Sequence, residues 1–586
     1  MDNLKEFISF LSKEGETPPA PETQESIETQ IEDEPRFDSE SLSAHAKQTF
    51  QASALLSKLP KAELQTLPLK FQGFTSLIIP STINENRKAL KTQFLNVVQA
   101  IHEETNLPMI SDPLAISSLN EKLHYGRIVS DDVSEGHLVP SSILIEDFEG
   151  KTMPLRFSVP YCVFPGQTVA IRGTNPQGNF IQVTEFMDGS FPAVPDPSTE
   201  GGVAPQGMQI ITVQGPFWAP SESQSFDIPQ DPSEVDLPIL KPLIKHIQKN
   251  KPHFVIMFGP FLQSMNDSSL VYQAMMKGLR PELVFDAIVM QMAAAAAATP
   301  HTRFILVPSS QDLAYTTDSV IPMRPFEIDL SAIPSSSMDP NLHPRNLMYL
   351  VSNPCFATLD GLRVCLFAED VFLHLNKTAC LEFVVAPSSP RIGSPALPPL
   401  PSPSSQPLSS SSSSNSQPSS PPLSPPFSEP LNASSPTSSS ASSAISTFAA
   451  RFNATDKESA FCECLLKQRS VYPIYPAYAP PATIRRRQAD MLMPTDEEAD
   501  GASAFAVDVT QREMLKIEEN PHLFITPSVL RPFVKKTNDC VFVTGGSLLR
   551  LRNFVTITVA PPSSDLESTI VKPVDERIRV DLCKFE

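Results

Sequence analysis

Paired cysteines, a basic excess, long apolar runs and glycine are what this sequence has least of. The eight cysteines, Cys162, Cys355, Cys365, Cys380, Cys462, Cys464, Cys540 and Cys583, form no Cys-x-x-Cys pair. A zinc site normally shows paired spacing, and the Cys462-Glu463-Cys464 step stands alone, so reduced, buried thiols in an intracellular protein are the expectation. The formal charge is −20, whereas a surface built for general nucleic-acid binding needs a basic excess. Residues 1–40 alone hold twelve Asp and Glu against Lys5, Lys13 and Arg36. No uninterrupted apolar run reaches the length of a membrane span. The opening MDNLKEFISFLSKEGE lacks the basic-then-apolar order of a secretory signal. Glycine numbers 20 against 61 prolines, which assigns much of the chain to linkers, and no Gly-x4-Gly-Lys-Ser/Thr loop is present to cradle a phosphate.

What is present supports real cores. Hydrophobic residues make up 41% of the 586 positions, a length that calls for two or three domains with linkers. Leu4, Phe7, Ile8 and Leu11 share one face of a short amphipathic helix, followed by an acidic stretch too poor in apolar residues to fold alone. From 121 to 187 short β-rich runs recur at regular intervals, punctuated by Glu149-Gly150, Pro165-Gly166 and Pro176-Gln177-Gly178. That pattern suits a small barrel, an OB-fold among others. Its aromatics, Tyr125, Phe148, Phe157, Tyr161 and Phe164, sit among eight acids and five bases, so core or protein contact suits them better than single-stranded nucleic acid.

From 208 to 310 strands alternate with helices: MQIITVQG, then Leu240, Leu243, Ile244 and Ile247 at helical spacing, then PHFVIMFG, a helical stretch to Ala293–Ala298, and RFILVPSS. Such alternation predicts a parallel sheet covered on both faces. PCFATLDGLRVCLFAED reads as a hairpin turning at Asp360-Gly361. Residues 387–446 then contain 25 Ser and 15 Pro, with only Arg391 and Glu429 charged. No core can be built from that composition, and a disordered loop inside the α/β domain is the simplest expectation.

A metal-dependent phosphoesterase holds two cations with Asp, His and Asn side chains at strand ends. Here the first strand ends in Gly215-Pro216, the second in Gly259-Pro260 with Gln263 following, and the third in Ser309, Ser310 and Asp312. None of the ten histidines lies two residues after an Asp, and no His-x-His occurs. Asp312 alone would hold a metal poorly, and capping of a turn suits it better. Ser309, Ser310 and Gln311 suit turn amides. No Gly-x-Ser-x-Gly elbow marks a nucleophile. The expectation is no enzyme, no metal and no cofactor.

Six stretches in order carry a resemblance: VQGPFWAPSESQSFD, PHFVIMFGPFLQS, FILVPSSQD, NPCFATLDGLRVCLFAEDVFLHL, LLKQRSVYPIYP and ITPSVLRPFVKKTNDCVFVTGG. With FPGQTVAIRG in the preceding barrel, the chain resembles the B-subunit family of the replicative DNA polymerases, in its polymerase α–primase branch. The resemblance covers residues 120–586 apart from the Ser/Pro tract. It implies an OB domain packed on a calcineurin-like phosphoesterase domain that has lost its metals, so that Gly215, Pro216, Gly259, Pro260, Gln263, Ser309, Ser310 and Asp312 are degenerate metal-site positions. It also implies a nuclear, non-catalytic scaffold that grips the zinc-bearing C-terminal domain of the catalytic polymerase chain and meets primase through that complex. DNA contact is then weak or indirect, and no membrane is involved. The corresponding accessory chain of polymerase δ or ε, and a residual metal-dependent phosphoesterase, are the alternatives. The domains expected are a tail at 1–110 with a short helix, an OB domain at 111–195, and the phosphoesterase-like domain at 205–586 interrupted by 387–450. Near the C-terminus the family favours Asn-Pro-Gly where this chain has Val543-Thr544-Gly545-Gly546. Ser389, Ser394, Ser402, Ser420, Ser424 and Ser435 each precede proline and are candidate sites for proline-directed kinases. Arg485-Arg486-Arg487 is too short a basic run to imply more than a solvated loop.

Overall fold

The computed structural model describes residues 69–73, 83–109, 111–114, 116–131, 137–194, 202–218, 229–262, 275, 277–313, 320–330, 343–382, 456–478, 506–545, 547–562 and 572–585. The Leu4–Leu11 helix, Gln263, the Ser/Pro tract with its six serines, Arg485–Arg487 and Gly546 lie outside the described residues.

The first described elements are strand β1 (Leu69–Gly73) and helix α1 (Ile83–Thr105). Both lie where a tail is expected at 1–110, and the reason is local. Phe94, Val97, Val98 and Ile101 recur at helical spacing and form one apolar stripe on α1. That stripe is buried against Leu123, Tyr125, Ala170 and Met187 of the barrel. Polar and charged residues on its other faces, among them Lys88, Lys91, Glu103 and Glu104, dilute the average hydropathy but leave the stripe intact.

The barrel follows: β2 (Ser118–Ser130), β3 (Ile143–Glu146), β4 (Thr152–Phe157), β6 (Thr168–Asn175) and β7 (Ile181–Met187), closed in the order β2-β3-β4-β7-β6. Alternate residues such as Ile143, Ile145, Val169, Ile171, Ile181 and Val183 fill its interior, as the period of two requires. Tyr125, Tyr161 and Phe164 are buried, whereas Phe148 is exposed with its ring edge-on to Phe94. The short strand β5 (Tyr161–Val163) leaves the barrel wall and pairs elsewhere.

The body contains two six-stranded sheets. The chain lays down β8 (Met208–Gln214), helix α2 (Leu240–Asn250), β9 (Phe254–Phe258), helix α3 (Pro281–Ala298), β10 (Arg303–Val307), a short β11 (Val320–Ile321) and β12 (Met348–Leu350). β8, β9, β10 and β12 run parallel, as the alternating pattern predicts. Next come β13 (Cys355–Leu359), β14 (Leu362–Leu366), helix α4 (Val371–Thr378) and β15 (Cys380–Glu382). The β13–β14 hairpin turns at Asp360-Gly361, with φ of 46° and 81°; two left-handed residues in succession make the turn whose twist matches the strands. After helix α5 (Lys457–Lys467) come β16 (Ala506–Val507), β17 (Leu523–Pro527), β18 (Val534–Thr537), β19 (Cys540–Gly545), β20 (Asn553–Val559) and β21 (Ile578–Lys584).

Sheet I has the order β12-β10-β9-β8-β20-β21 and sheet II the order β1-β13-β14-β17-β19-β18. Side-chain alternation builds four layers from these. On β9, Val255 and Met257 face the cluster containing α2 and α3, while Phe254, Ile256 and Phe258 enter the core shared with sheet II. On β17, Leu523 and Ile525 enter that shared core, and Phe524 faces the cluster containing α4 and α5. Strands buried on both faces read as continuous apolar runs, and each large side chain so buried contributes about 1.5–3 kcal/mol. By length and composition α3 is apolar enough to cross a membrane. Here it is a core helix, with Leu283, Val284, Phe285, Ile288 and Met292 buried against sheet I.

Helices α4 and α5, which flank the Ser/Pro tract in sequence, share one core: Phe372 and Leu375 belong to the same cluster as Phe461 and Leu465. The barrel is tied to this region. β5 pairs antiparallel with β15, and the Gln468 carboxamide bonds the main chain of Thr168 twice, at 2.9 and 2.8 Å. Lys467 and Asp188 form a 3.0 Å ion pair with both side chains largely buried. Burial works against the lysine's charge, but the Asp188 and Glu463 carboxylates outweigh it and hold its pKa above the usual lysine range.

Candidate functional site at the strand ends

The ends of β8, β9 and β10 converge, and the loops leaving them are buried. Gly215-Pro216 and Gly259-Pro260 both have cis peptide bonds. Gly259 sits where a Cβ would come within 2.9 Å of Asp312 Oδ2 and of Ser309 Cβ, so only glycine fits between the two loops.

Asp312 is turned back onto this loop. Its Oδ2 accepts the Phe261 N–H at 2.7 Å and its Oδ1 accepts that of Leu262 at 3.3 Å. The aspartate therefore serves the turn, as its type and position predict. Ser309 and Ser310 are drawn together by Glu369, a group that no sequence pattern pointed to. The Ser310 N–H donates to Glu369 Oε1 at 2.7 Å and the Ser310 hydroxyl to Oε2 at 2.8 Å. Asn353 Nδ2 adds a third donor at 3.2 Å and Ser309 a longer fourth at 3.4 Å. Asn353 Oδ1 in turn accepts the Ala368 N–H at 3.0 Å.

Burial raises the Glu369 pKa to about 7, against the opposing pull of these donors. Next to it Asp370 caps α4, accepting the Leu373 N–H at 2.9 Å, and also takes the Val529 N–H at 2.7 Å and the Ser528 hydroxyl at 2.9 Å. Burial lifts its pKa to about 6. An Asp immediately before an apolar helical run is a cap signal, which would have found Asp370. Glu369 carries no comparable local signal, because its partners come from the loop after β10 and from the Asn353 segment.

Of the expected site residues, Gly215, Pro216, Gly259, Pro260, Ser309, Ser310 and Asp312 are brought to this one end of sheet I, while Gln263 lies outside the described residues. The carboxylate oxygens of Asp312 and Glu369 already accept hydrogen bonds from the protein. Among the described residues no group of three or more His, Cys, Asp or Glu converges in a way that would hold a metal ion. A two-metal shell needs ionised oxygens and imidazoles aimed at a common point, and the donor set here does not fit one. The histidine nearest in sequence to Glu369, His374, is 5% exposed and bonds the Tyr472 hydroxyl at 3.0 Å. Burial lowers its pKa to about 4.

Tyr472 is fully buried. Tyr475 instead lies at the barrel junction, its ring 5.2 Å from the Arg127 guanidinium carbon and 5.5 Å from that of Arg512.

A closed five-stranded barrel joined to a layered α/β body, with strand-end acids bound to the protein's own loops, defines a class of two-module proteins. Comparison with known families makes this specific. The family model for the B subunit of DNA polymerase alpha/epsilon matches residues 226–535, more than half of the chain, and the chain belongs to that family. The model for the OB domain of the DNA polymerase alpha B subunit matches residues 87–189, which takes in most of α1 with the barrel.

The DNA polymerase alpha B subunit of Bos taurus is 26% identical over 270 residues, covering 45% of this chain and 40% of the relative. That of Schizosaccharomyces pombe is 31% identical over 152 residues, 23% and 24% of the two chains. That of Saccharomyces cerevisiae is 24% identical over 243 residues, 37% and 32%. The chain thus spans less than half the length of the curated relatives it matches.

Proposed function

We propose that this chain is a non-catalytic accessory component of a polymerase α–primase assembly. It holds the zinc-bearing C-terminal domain of the catalytic polymerase chain and, through it, keeps polymerase and primase together for RNA–DNA primer synthesis in the nucleus. In this reading the body is a calcineurin-like phosphoesterase fold retained as a platform. The observation that carries it is the internal use of the strand-end carboxylates: Asp312 and Glu369 bind loop amides and hydroxyls and converge on no common point that could hold a cation. Relatives named for the alpha enzyme, and the matching alpha OB model, favour that branch over δ or ε. The net charge of −20 leaves DNA contact weak or indirect. The six Ser-Pro steps are read as phosphorylation sites that add charge to a segment with almost none.

Affinity capture of the tagged full chain from dividing cells tests the assembly. A polymerase catalytic chain and primase polypeptides are expected in near-equal amounts, and capture without any polymerase chain overturns the proposal. The purified chain should hydrolyse a phosphodiester no faster than buffer with Mn²⁺ added; turnover abolished by replacing Asp312 would restore the enzyme reading.

A further inference from the structure

Helix α2 and the residue after it, LKPLIKHIQKNK, hold four lysines and no acid in a chain whose net charge is −20. Leu240, Leu243 and Ile247 are buried against sheet I. That packing turns Lys241, Lys245 and Lys249, spaced by four residues, to the opposite side, and all three are exposed. At a rise of about 1.5 Å per residue the row is about 12 Å long. Lys241 is held by Asp236 at 2.6 Å, whereas Lys245 and Lys249 form no ion pair among the described residues.

The basic face extends past the helix. The His246 ring lies 4.7 Å from the Phe554 ring and 6.3 Å from that of Phe585, and the Phe585 N–H donates to the Arg552 carbonyl at 2.8 Å. These contacts bring the exposed Arg552 to the flank of α2, and the exposed Lys251 follows its last turn. Burial and the Lys249 charge lower the His246 pKa, so near neutrality the positive charge here is that of lysine and arginine. Asp236 and Asp581, the acids beside α2 and on the facing side of β21, are already engaged by Lys241 and Arg579, at 2.6 and 2.8 Å. We propose that this face binds the phosphate backbone of a nucleic-acid duplex without reading its sequence.

Three features select this ligand. The exposed positions of α2 are Lys241, Pro242, Lys245, Gln248, Lys249 and Asn250. None is aromatic, Met or Arg, the types that anchor protein interfaces, where lysine is depleted. None offers a ring on which an unpaired base could stack, which sets a single strand aside. Lysines and side-chain amides are donors to phosphate oxygens, and a straight row of about 12 Å matches roughly three to four phosphates of one strand of a duplex. Residues 1–40 carry nine of the twenty net negative charges; the remaining excess keeps such binding weak and sensitive to salt. The face gives a place to the weak nucleic-acid contact of the accessory-component reading, but it holds or fails on the isolated chain, with no polymerase present.

The test titrates the full chain into a fluorescein-labelled duplex of about 20 base pairs, followed by anisotropy. With three to four phosphate contacts, affinity should fall roughly 40- to 150-fold between 50 and 200 mM salt, equally for two unrelated sequences. Lys245→Glu combined with Lys249→Glu should weaken binding at least tenfold at the lower salt. Arg87→Glu combined with Lys88→Glu, the same change of net charge at exposed positions of α1, should weaken it less than threefold. No binding at the lower salt, an equal loss in the two double variants, or tighter binding of the single strand or of poly-glutamate than of the duplex would each overturn the proposal; the last outcome would make the partner an acidic polypeptide. Should the α2 variant fail to fold by circular dichroism, acetylation of the unaltered chain read by mass spectrometry decides. The duplex should protect Lys245 and Lys249 but not Lys88, and no protection on α2 rejects the site.

Discussion

Glu369 is the residue at which burial and hydrogen bonding compete most openly. Four donors favour its ionised form, yet burial prevails and raises its pKa from the ordinary 4.5 to about 7. A raised folded-state pKa means that the native protein binds the proton more tightly than the unfolded chain. Its contribution is therefore complete below pH 4.5 and is lost as pH rises through 7. Asp370, at about 6, acts with the same sign. His374, lowered to about 4, acts with the opposite sign, losing stability as pH falls below the ordinary histidine value. The net profile mixes these, but a difference isolates one group. Glu369→Gln can keep the Ser310 N–H and Asn353 bonds on its carbonyl while its amide donates to the Ser310 hydroxyl. The stability of this variant minus that of the unaltered chain should rise between pH 4.5 and 7 by about 3 kcal/mol, following about 1.4 kcal/mol per unit. Urea titrations at several pH values measure it, and a flat difference would mean that Glu369 titrates normally.

At the level of elements, legibility follows the range of the physics. The parallel strands are readable because β-branched and aromatic runs such as FVIMF have few other uses. The β13–β14 hairpin is readable because Asp360-Gly361 encodes its own turn. Helix α1 is harder to read even though its stripe is local, because the stripe's partners, Leu123 and Met187, lie far along the chain. The strand-end site is half legible. Asp312 can be assigned to a turn from its type, whereas Glu369 has meaning only once the fold brings it beside Ser310. The importance of α1 is measurable. Phe94→Ala removes a side chain 7% exposed and should cost about 3–5 kcal/mol, seen as a lowered melting temperature. A loss under about 1 kcal/mol, small beside the usual cost of emptying a core site, would mean that α1 is not part of the folded unit.

For the whole molecule, barrel and body share more than a contact surface. The β5–β15 pairing, the Lys467–Asp188 ion pair and the two Gln468 bonds to Thr168 cross from one to the other through buried ground. The two modules should consequently unfold in one transition. Gln468→Ala strands the Thr168 N–H and C=O without partners, a loss of about 1–3 kcal/mol, and should speed hydrogen exchange at Thr168 while leaving amides of β9 unchanged. Two resolved calorimetric transitions in the unaltered chain would contradict the coupling. In the scaffold role proposed above such stiffness would matter, because a partner then need not spend binding energy on orienting the two modules.

Strand β1 has a consequence for anyone shortening this protein. Five residues long and carrying Lys70, it forms the border of sheet II beside Cys355–Leu359. A protein begun at residue 74 would exchange that short, charged margin for CFATL, an uncharged ribbon with its amides and carbonyls bared. Such ribbons zip to one another, so the trimmed molecule is headed for filaments and precipitate even with every contact inside the barrel intact.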